Sequence, residues 1–132
     1  MKINDKEIIL IDDAYNANPS SMKASIQSLG LRVGRKIAVL GDMLELGSIA
    51  QEMHEGLVSD ILNAGIDKVY LVGDLMKHLW KKIPDEKRGS WCPKSEDLIP
   101  VLKTELKNND IVLIKASHGT RLDVIIESLK GK

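Results

Sequence analysis

Four short apolar runs, Ile8–Ile11, Ile37–Leu40, Val69–Val72 and Ile111–Ile114, constrain this chain more than any other feature. None of them alternates with polar residues. A strand that is apolar at every position is buried on both faces, the condition of a parallel sheet covered by helices on each side. The segments between the runs carry helical spacing. Met22, Ile26 and Leu29 share one face; so do Met53, Leu57 and Ile61, with Val58 and Leu62 widening the stripe. Leu98, Leu102 and Leu106 form a third set, and Leu122, Ile125, Ile126 and Leu129 a fourth. Alternating strands and helices predict an α/β fold: a doubly wound, mostly parallel sheet of five or six strands with helices on both faces. Ser90–Cys92 supplies a short fifth strand. Right-handed crossovers place the strand carboxyl ends on one edge, where ligands bind in open α/β sheets.

Local signals agree with this layout. Asn18 caps a helix whose first residue is Pro19, Ser48 and Gln51 have capping-box spacing, and Gly65 can end a helix in the left-handed conformation. A shorter helix is expected from about Leu75 to Lys82, and Pro84 and Gly89 bracket a loop. Pro100 obscures the start of the helix near Asp97. The 132 residues suffice for one domain, 1–132, with no internal repeat or linker. With no Phe, two Tyr and two Trp, the core must be built from Ile, Leu, Val and Met. Nineteen basic residues balance nineteen acidic ones, so bulk charge suggests neither a nucleic-acid nor a membrane partner. The lone cysteine, Cys92, excludes an intrachain disulfide and a cysteine-only metal site. No apolar run approaches the ~20 residues of a membrane span, and the first residues lack a signal-peptide core; a cytoplasmic protein is expected.

The strand ends deliver a distinctive set of residues to the shared edge: Asp12 and Asp13, Gly41-Asp42, Gly73-Asp74, and Lys115-Ala116-Ser117-His118. Each residue alone also suits an ordinary strand end or helix cap; their convergence is what points to a site. The loop Tyr15-Asn16-Ala17-Asn18-Pro19 offers amides that match ribose hydroxyls or adenine edges, ahead of a helix N-terminus. In Gly41-Asp42-Met43-Leu44-Glu45-Leu46-Gly47, Gly41 allows close approach to a ligand, and Asp42 and Glu45 can bind an amine or a metal-bound water. The same segment also suits a plain connection with Leu44 and Leu46 in the core. His54 lies one residue from an apolar stripe, which fits a partly buried structural histidine as well as a ligand or base. The loop from Lys115 to Arg121 can hold a phosphate or carboxylate. His78 and Cys92 have no supporting pattern. No metal-ligand pattern appears. The phosphate-loop pattern Gly-x-x-x-x-Gly-Lys-Ser/Thr is missing, as is Gly-x-Gly-x-x-Gly. The chain can line a nucleotide site without the parts to hold a triphosphate and its Mg²⁺.

The run Asp12-Asp13-Ala14-Tyr15-Asn16-Ala17-Asn18-Pro19-Ser20-Ser21-Met22, followed by Leu40-Gly41-Asp42-Met43-Leu44-Glu45-Leu46-Gly47 and His54, resembles the C-terminal domain of the Mur ligases. The resemblance covers essentially the whole chain. Within the family it is strongest to the branch that adds D-Ala-D-Ala to a UDP-MurNAc-tripeptide. It implies a Rossmann-like domain of a three-domain cytoplasmic enzyme of peptidoglycan synthesis. The N-terminal domain binding the UDP-substrate and the central ATPase domain holding Mg²⁺ would lie outside this chain. This domain would close over ATP and the dipeptide, with no catalytic residue of its own and no activity alone. By the resemblance, Asn16 and Asn18 contact the nucleotide with Tyr15 packed beside them. Asp13, Asp42, Glu45 and His54 face the cleft, and Lys115 and Ser117 lie near the reaction centre or the dipeptide carboxylate. Such ligases usually carry Lys-Gly-Ser-Arg where this chain has Lys115-Ala116-Ser117-His118.

Other readings stand beside this one. Folylpolyglutamate and cyanophycin synthetases share the superfamily. From another class, a receiver-like signalling module would use Asp12, Asp13, Asp74 and Lys115, with Ser90 as its hydroxyl. Its spacing is unfavourable: 61 positions separate Asp13 from Asp74 and only 16 separate Asp74 from Ser90. A free-standing, non-catalytic binding module is a further possibility.

Overall fold

The computed structural model describes residues 2–3 (backbone only), 5–13, 17–117 and 120–130. A small antiparallel hairpin, β1 (Lys2–Ile3) and β2 (Lys6–Glu7), opens the chain; it was not expected from the sequence, because two-residue strands carry no pattern. The elements that follow are β3 (Ile9–Asp13), α1 (Pro19–Gly30), β4 (Lys36–Gly41), α2 (Ala50–Ala64), β5 (Lys68–Val72), α3 (Met76–Trp80), β6 (Arg88–Cys92), α4 (Ser95–Glu105), β7 (Ile111–Lys115) and α5 (Asp123–Leu129). Strands β3 to β7 form one five-stranded sheet in the order β3-β7-β4-β5-β6, every pairing parallel. Numbering these five strands along the chain gives 1-5-2-3-4, which differs from the 2-1-3-4-5 order of receiver-type folds and removes that reading.

The apolar runs do not alternate because each faces two cores. On β4, Ile37 and Val39 join Leu98, Leu102, Leu122 and Ile125 from α4, α5 and their flanks. Ala38 and Leu40 join Met22, Ile26, Leu57, Ile61 and Met76 from α1, α2 and α3 on the other face. Burying such a side chain is worth about 1.5–3 kcal/mol over leaving it in water, so each helix is held mainly by its stripe. The edge strands pay less attention to this rule. On β3, Ile9 is 47% exposed, since an edge strand has one neighbour and thinner cover.

Helix ends follow the sequence in part. Asn18 caps α1: its Oδ1 accepts the Ser21 N–H at 2.9 Å, and Ser21 Oγ accepts the Asn18 N–H at 3.1 Å. Gly65 ends α2 at φ 68. The expected Ser48–Gln51 box does not form. A 3₁₀ turn over Gly47–Ile49 leads into α2 instead, with the Ala50 N–H donating to the Gly47 carbonyl, while the Gln51 amide donates to Glu55 at 3.1 Å. The buried stripe of α2 is His54, Leu57 and Ile61, with Met53 and Val58 only half-buried and Leu62 44% exposed. The expected face is therefore rotated toward His54. Helix α3 ends at Trp80, two residues before the expected Lys82, and Gly89 lies inside β6. Pro100 sits on the exposed side of α4, and Glu96, whose carbonyl it leaves without a helical donor, is an exposed residue as well.

Candidate functional site

The parallel register brings the carboxyl ends of β3, β7 and β4 level: Asp13 pairs with Lys115, and Lys115 with Leu40. This is also where the winding reverses. The helices after β3 and β4 pack on one face of the sheet and α5, after β7, on the other. The crevice at such a reversal is the usual ligand position.

Lys115 ends a central strand and is only 3% exposed; its Nζ donates to Asp13 Oδ2 at 2.6 Å. Ser25 Oγ of α1 donates to the same oxygen at 2.9 Å. Burial pushes the Asp13 carboxyl up, but the hydrogen bonds from Lys115 and Ser25 and the Lys115 charge outweigh it and hold the group below its usual value. One turn away, Ser117 ties three loops together. Its hydroxyl accepts the Leu44 N–H at 2.9 Å and donates to the Ala17 carbonyl at 3.3 Å, and its N–H donates to the Asp42 carbonyl. Thr120 Oγ1 donates to that carbonyl as well, at 3.2 Å.

Asp42 is 8% exposed and caps α3, its oxygens accepting the N–H groups of Met76 at 2.9 Å and Leu75 at 3.3 Å. Burial raises its pKa despite those bonds. Its carboxylate packs so closely on Gly73 (φ 110) that a Cβ there would lie 2.4 Å from it. Gly41 likewise has its reason inside the fold. A Cβ would lie 2.7 Å from Ala116 Cβ and Thr120 Cγ2, so the close approach it allows is between loops rather than to a ligand.

The structure places the expected residues unevenly. Asp13, Asp42, Lys115 and Ser117 meet on the carboxyl rim, beside the N-terminus of α1 with Asn18. Glu45 stands on the same rim, exposed, in the left-handed conformation at φ 65, a conformation that non-glycine residues adopt sparingly. His54 does not face the cleft. It is fully buried, its Nε2 accepting the Met43 N–H at 2.9 Å, which places the ring proton on Nδ1, 2.6 Å from the Ala50 carbonyl. Met43 is buried with it, whereas Leu44 is 38% exposed and Leu46 half-buried. Tyr15, Asn16 and His118 lie outside the described residues.

The turn after β6 carries little signal in the sequence. A cavity of about 310 Å³ opens there, continuous with the rim and lined by Asp42, Gly73, Asp74, Lys94, Glu96 and Arg121 among others. Ser95, the first residue of α4 and 3% exposed, donates to the Thr120 carbonyl at 2.8 Å and fixes the helix against the β7–α5 loop. Pro93 and Ser95 were the available signals for a helix start, masked by Pro100.

Among known proteins, the family model "Mur ligase, glutamate ligase domain" matches residues 1–118. The UDP-N-acetylmuramoyl-tripeptide–D-alanyl-D-alanine ligase of Rickettsia prowazekii (strain Madrid E) is 38% identical over 126 residues, covering 95% of this chain and 28% of that protein. The ligase of the same name from Bacillus subtilis (strain 168) is 37% identical over 135 residues, again 95% of this chain and 28% of that protein. Among solved structures, the MurF ligase of Thermotoga maritima, in complex with ADP, superposes with a TM-score of 0.80 at 32% identity. That match covers 98% of this chain and 30% of the Thermotoga chain. This chain therefore spans less than a third of the length of each of these relatives.

Proposed function

This chain belongs to the Mur ligase family, in its glutamate ligase domain, and we propose that it is the C-terminal domain of a cytoplasmic ligase that uses ATP to join D-Ala-D-Ala to UDP-MurNAc-tripeptide. In that reaction the tripeptide carboxylate takes a phosphoryl group from ATP. The dipeptide amine then attacks the acyl phosphate, releasing phosphate and forming an amide. The observation that carries this reading is the rim itself: acids, a lysine, hydroxyls and a capped helix N-terminus gathered from three loops into half of a cleft. The sequence has no phosphate loop to complete it.

The residues divide the work accordingly. Asn18 keeps its Oδ1 for the helix cap and offers its amide NH₂ to the nucleotide, a role we assign to Tyr15 and Asn16 as well. The Asp13–Lys115 pair holds the end of β3 against β7 and so sets the start of that nucleotide-facing loop. Ser117 and Thr120 lock the loops into one rigid wall that excludes water when the cleft closes. Among the described residues no group of three or more His, Cys, Asp or Glu side chains could hold a metal ion. We assign Mg²⁺ and the phosphate loop to the remainder of the enzyme. No helix among the described residues is long and apolar enough to cross a membrane.

The test is reconstitution. The chain alone should release no phosphate from ATP. Joined to the N-terminal and central domains of its own ligase, it should restore phosphate release that depends on D-Ala-D-Ala. ATP turnover by the isolated chain, or a reconstituted enzyme that takes glutamate in place of the dipeptide, would overturn the proposal. The glutamate outcome would favour a folylpolyglutamate-type ligase.

A further inference from the structure

We propose that the groove between the C-terminal ends of α1 and α2 is the contact through which two copies of this chain pair, Arg32 of each protomer seating against the partner's Asp60. The groove holds about 280 Å³ and is lined by Gln27, Gly30 and Leu31 on one side and by Asp60, Asn63 and Ala64 on the other. Small-ligand sites run from about 300 to 1,000 Å³; this groove is smaller, and it suits a single long side chain. Its floor is set by backbone, since a Cβ on Gly30 would lie 2.8 Å from Ala64. Helix α1 starts at the carboxyl rim, and its 12 residues carry the chain about 18 Å away from it. The groove therefore belongs to the opposite end of the sheet and takes no part in the cleft.

The groove is built for a cation. Asp60 is half-buried there, and its carboxylate makes no hydrogen bond or ion pair among the described residues. The side-chain amides of Gln27 and Asn63 make none either, so their oxygens are open to a donor. Both helices end at this point, and neither carries a basic residue in its last turn. Their carbonyl ends add negative potential to that of the carboxylate. The cation that the fold supplies nearby is Lys36, whose Nζ donates to the Gly30 carbonyl at 3.3 Å and serves the end of α1. It forms no ion pair with Asp60, which stays uncompensated.

The same patch carries the cation that fits. Arg32 follows α1 directly, is exposed, and its side chain makes no hydrogen bond or ion pair among the described residues. It stands between Leu31 and Val33, which at 87% and 97% are the most exposed large apolar side chains among those residues. A two-fold contact requires a patch complementary to itself. An uncompensated acid, an unpaired arginine and two aliphatic side chains standing in water meet that condition. Each Arg32 reaches the partner's Asp60, and Leu31 and Val33 leave water against their counterparts. A free cation could satisfy Asp60 but would cover neither aliphatic. Arginine beside apolar side chains is also the composition favoured at such contacts. The patch is small beside the ~800 Å² per partner of a standard interface, so the pair is weak and depends on concentration.

Sedimentation velocity on the complete ligase tests this, and monomer should give way to dimer as concentration rises. Arg32→Asp and Asp60→Arg should each raise the dimer dissociation constant about tenfold or more, because each sets like charges against one another across the contact. Mixing the two variants should restore pairing. The Arg32→Asp chain offers two acids and the Asp60→Arg chain two cations, so both ion pairs reform in a heterodimer, which also shows that both variants fold. Val33→Asp should weaken the dimer without help from mixing. Phosphate release per chain should stay unchanged in every variant, which keeps this test separate from the ligase reading. A ligase that remains monomeric up to its solubility limit overturns the proposal, even where free arginine then binds the groove. A dimer that both charge reversals leave intact overturns it as well, and so does one that the reversals break and mixing fails to restore.

Discussion

His54→Leu decides whether that imidazole is part of the scaffold or part of the chemistry. The ring is fully buried, accepts the Met43 N–H at 2.9 Å and donates to the Ala50 carbonyl at 2.6 Å. Leucine fills a similar volume, so the substitution leaves no large void and isolates the polar effect. It strands the Met43 N–H in a residue that water does not reach, which costs about 1–3 kcal/mol. The Ala50 carbonyl loses less, because as the first residue of α2 it keeps its helical partner; that adds about 0.5 kcal/mol. The total, about 1.5–3.5 kcal/mol at roughly 4 °C per kcal/mol for a domain of this size, lowers Tm by about 6–14 °C. His54→Gln keeps an acceptor for the Met43 N–H and should lose less than half as much. Thermal unfolding by circular dichroism gives the shift, and phosphate release by the complete ligase gives the activity. A His54→Leu protein that melts within about 2 °C of the parent while its turnover collapses would refute this reasoning and return the imidazole to the cleft.

Two further substitutions address the rim. Asp13 has its carboxyl held below the usual value, so the stabilisation it contributes is complete above the unfolded-state pKa of 3.8 and is lost as pH falls through the lower folded-state value. Urea unfolding of Asp13→Asn should show a stability deficit at neutral pH that closes in acid; a deficit independent of pH would contradict the pairing with Lys115. Asn18→Ala removes the acceptor for the Ser21 N–H and should cost about 1 kcal/mol of stability. In the complete ligase it should also raise the KM for ATP, and a stability loss with unchanged ATP kinetics would leave Asn18 as a cap only.

Much of this molecule was legible because its signals are local. Apolar runs without alternation require cover on both faces, and β4 and β7 have it. Asn18-Pro19 and Gly65 specify helix ends through backbone geometry that depends on the residue itself. Parallel strands joined by right-handed crossovers put the chemistry-bearing turns on one edge whatever the packing details, and the Asp12–Met22 and Gly41–His54 runs were specific enough to indicate the family.

What each rim residue does there was decided by tertiary structure alone. Asp42, Gly41 and His54 stand at positions that suit ligand binding in the sequence, yet their partners are the amides of α3, the β7–α5 loop and Met43, all remote along the chain or set by how two loops pack. A polar side chain near a strand end can serve a ligand or satisfy a buried amide. Burial and distance choose between the two, and neither is written in residue order. The same holds for the cavity beside the rim: Asp74 and Lys94, twenty residues apart in the chain, line it together because β5 and β6 pair in register.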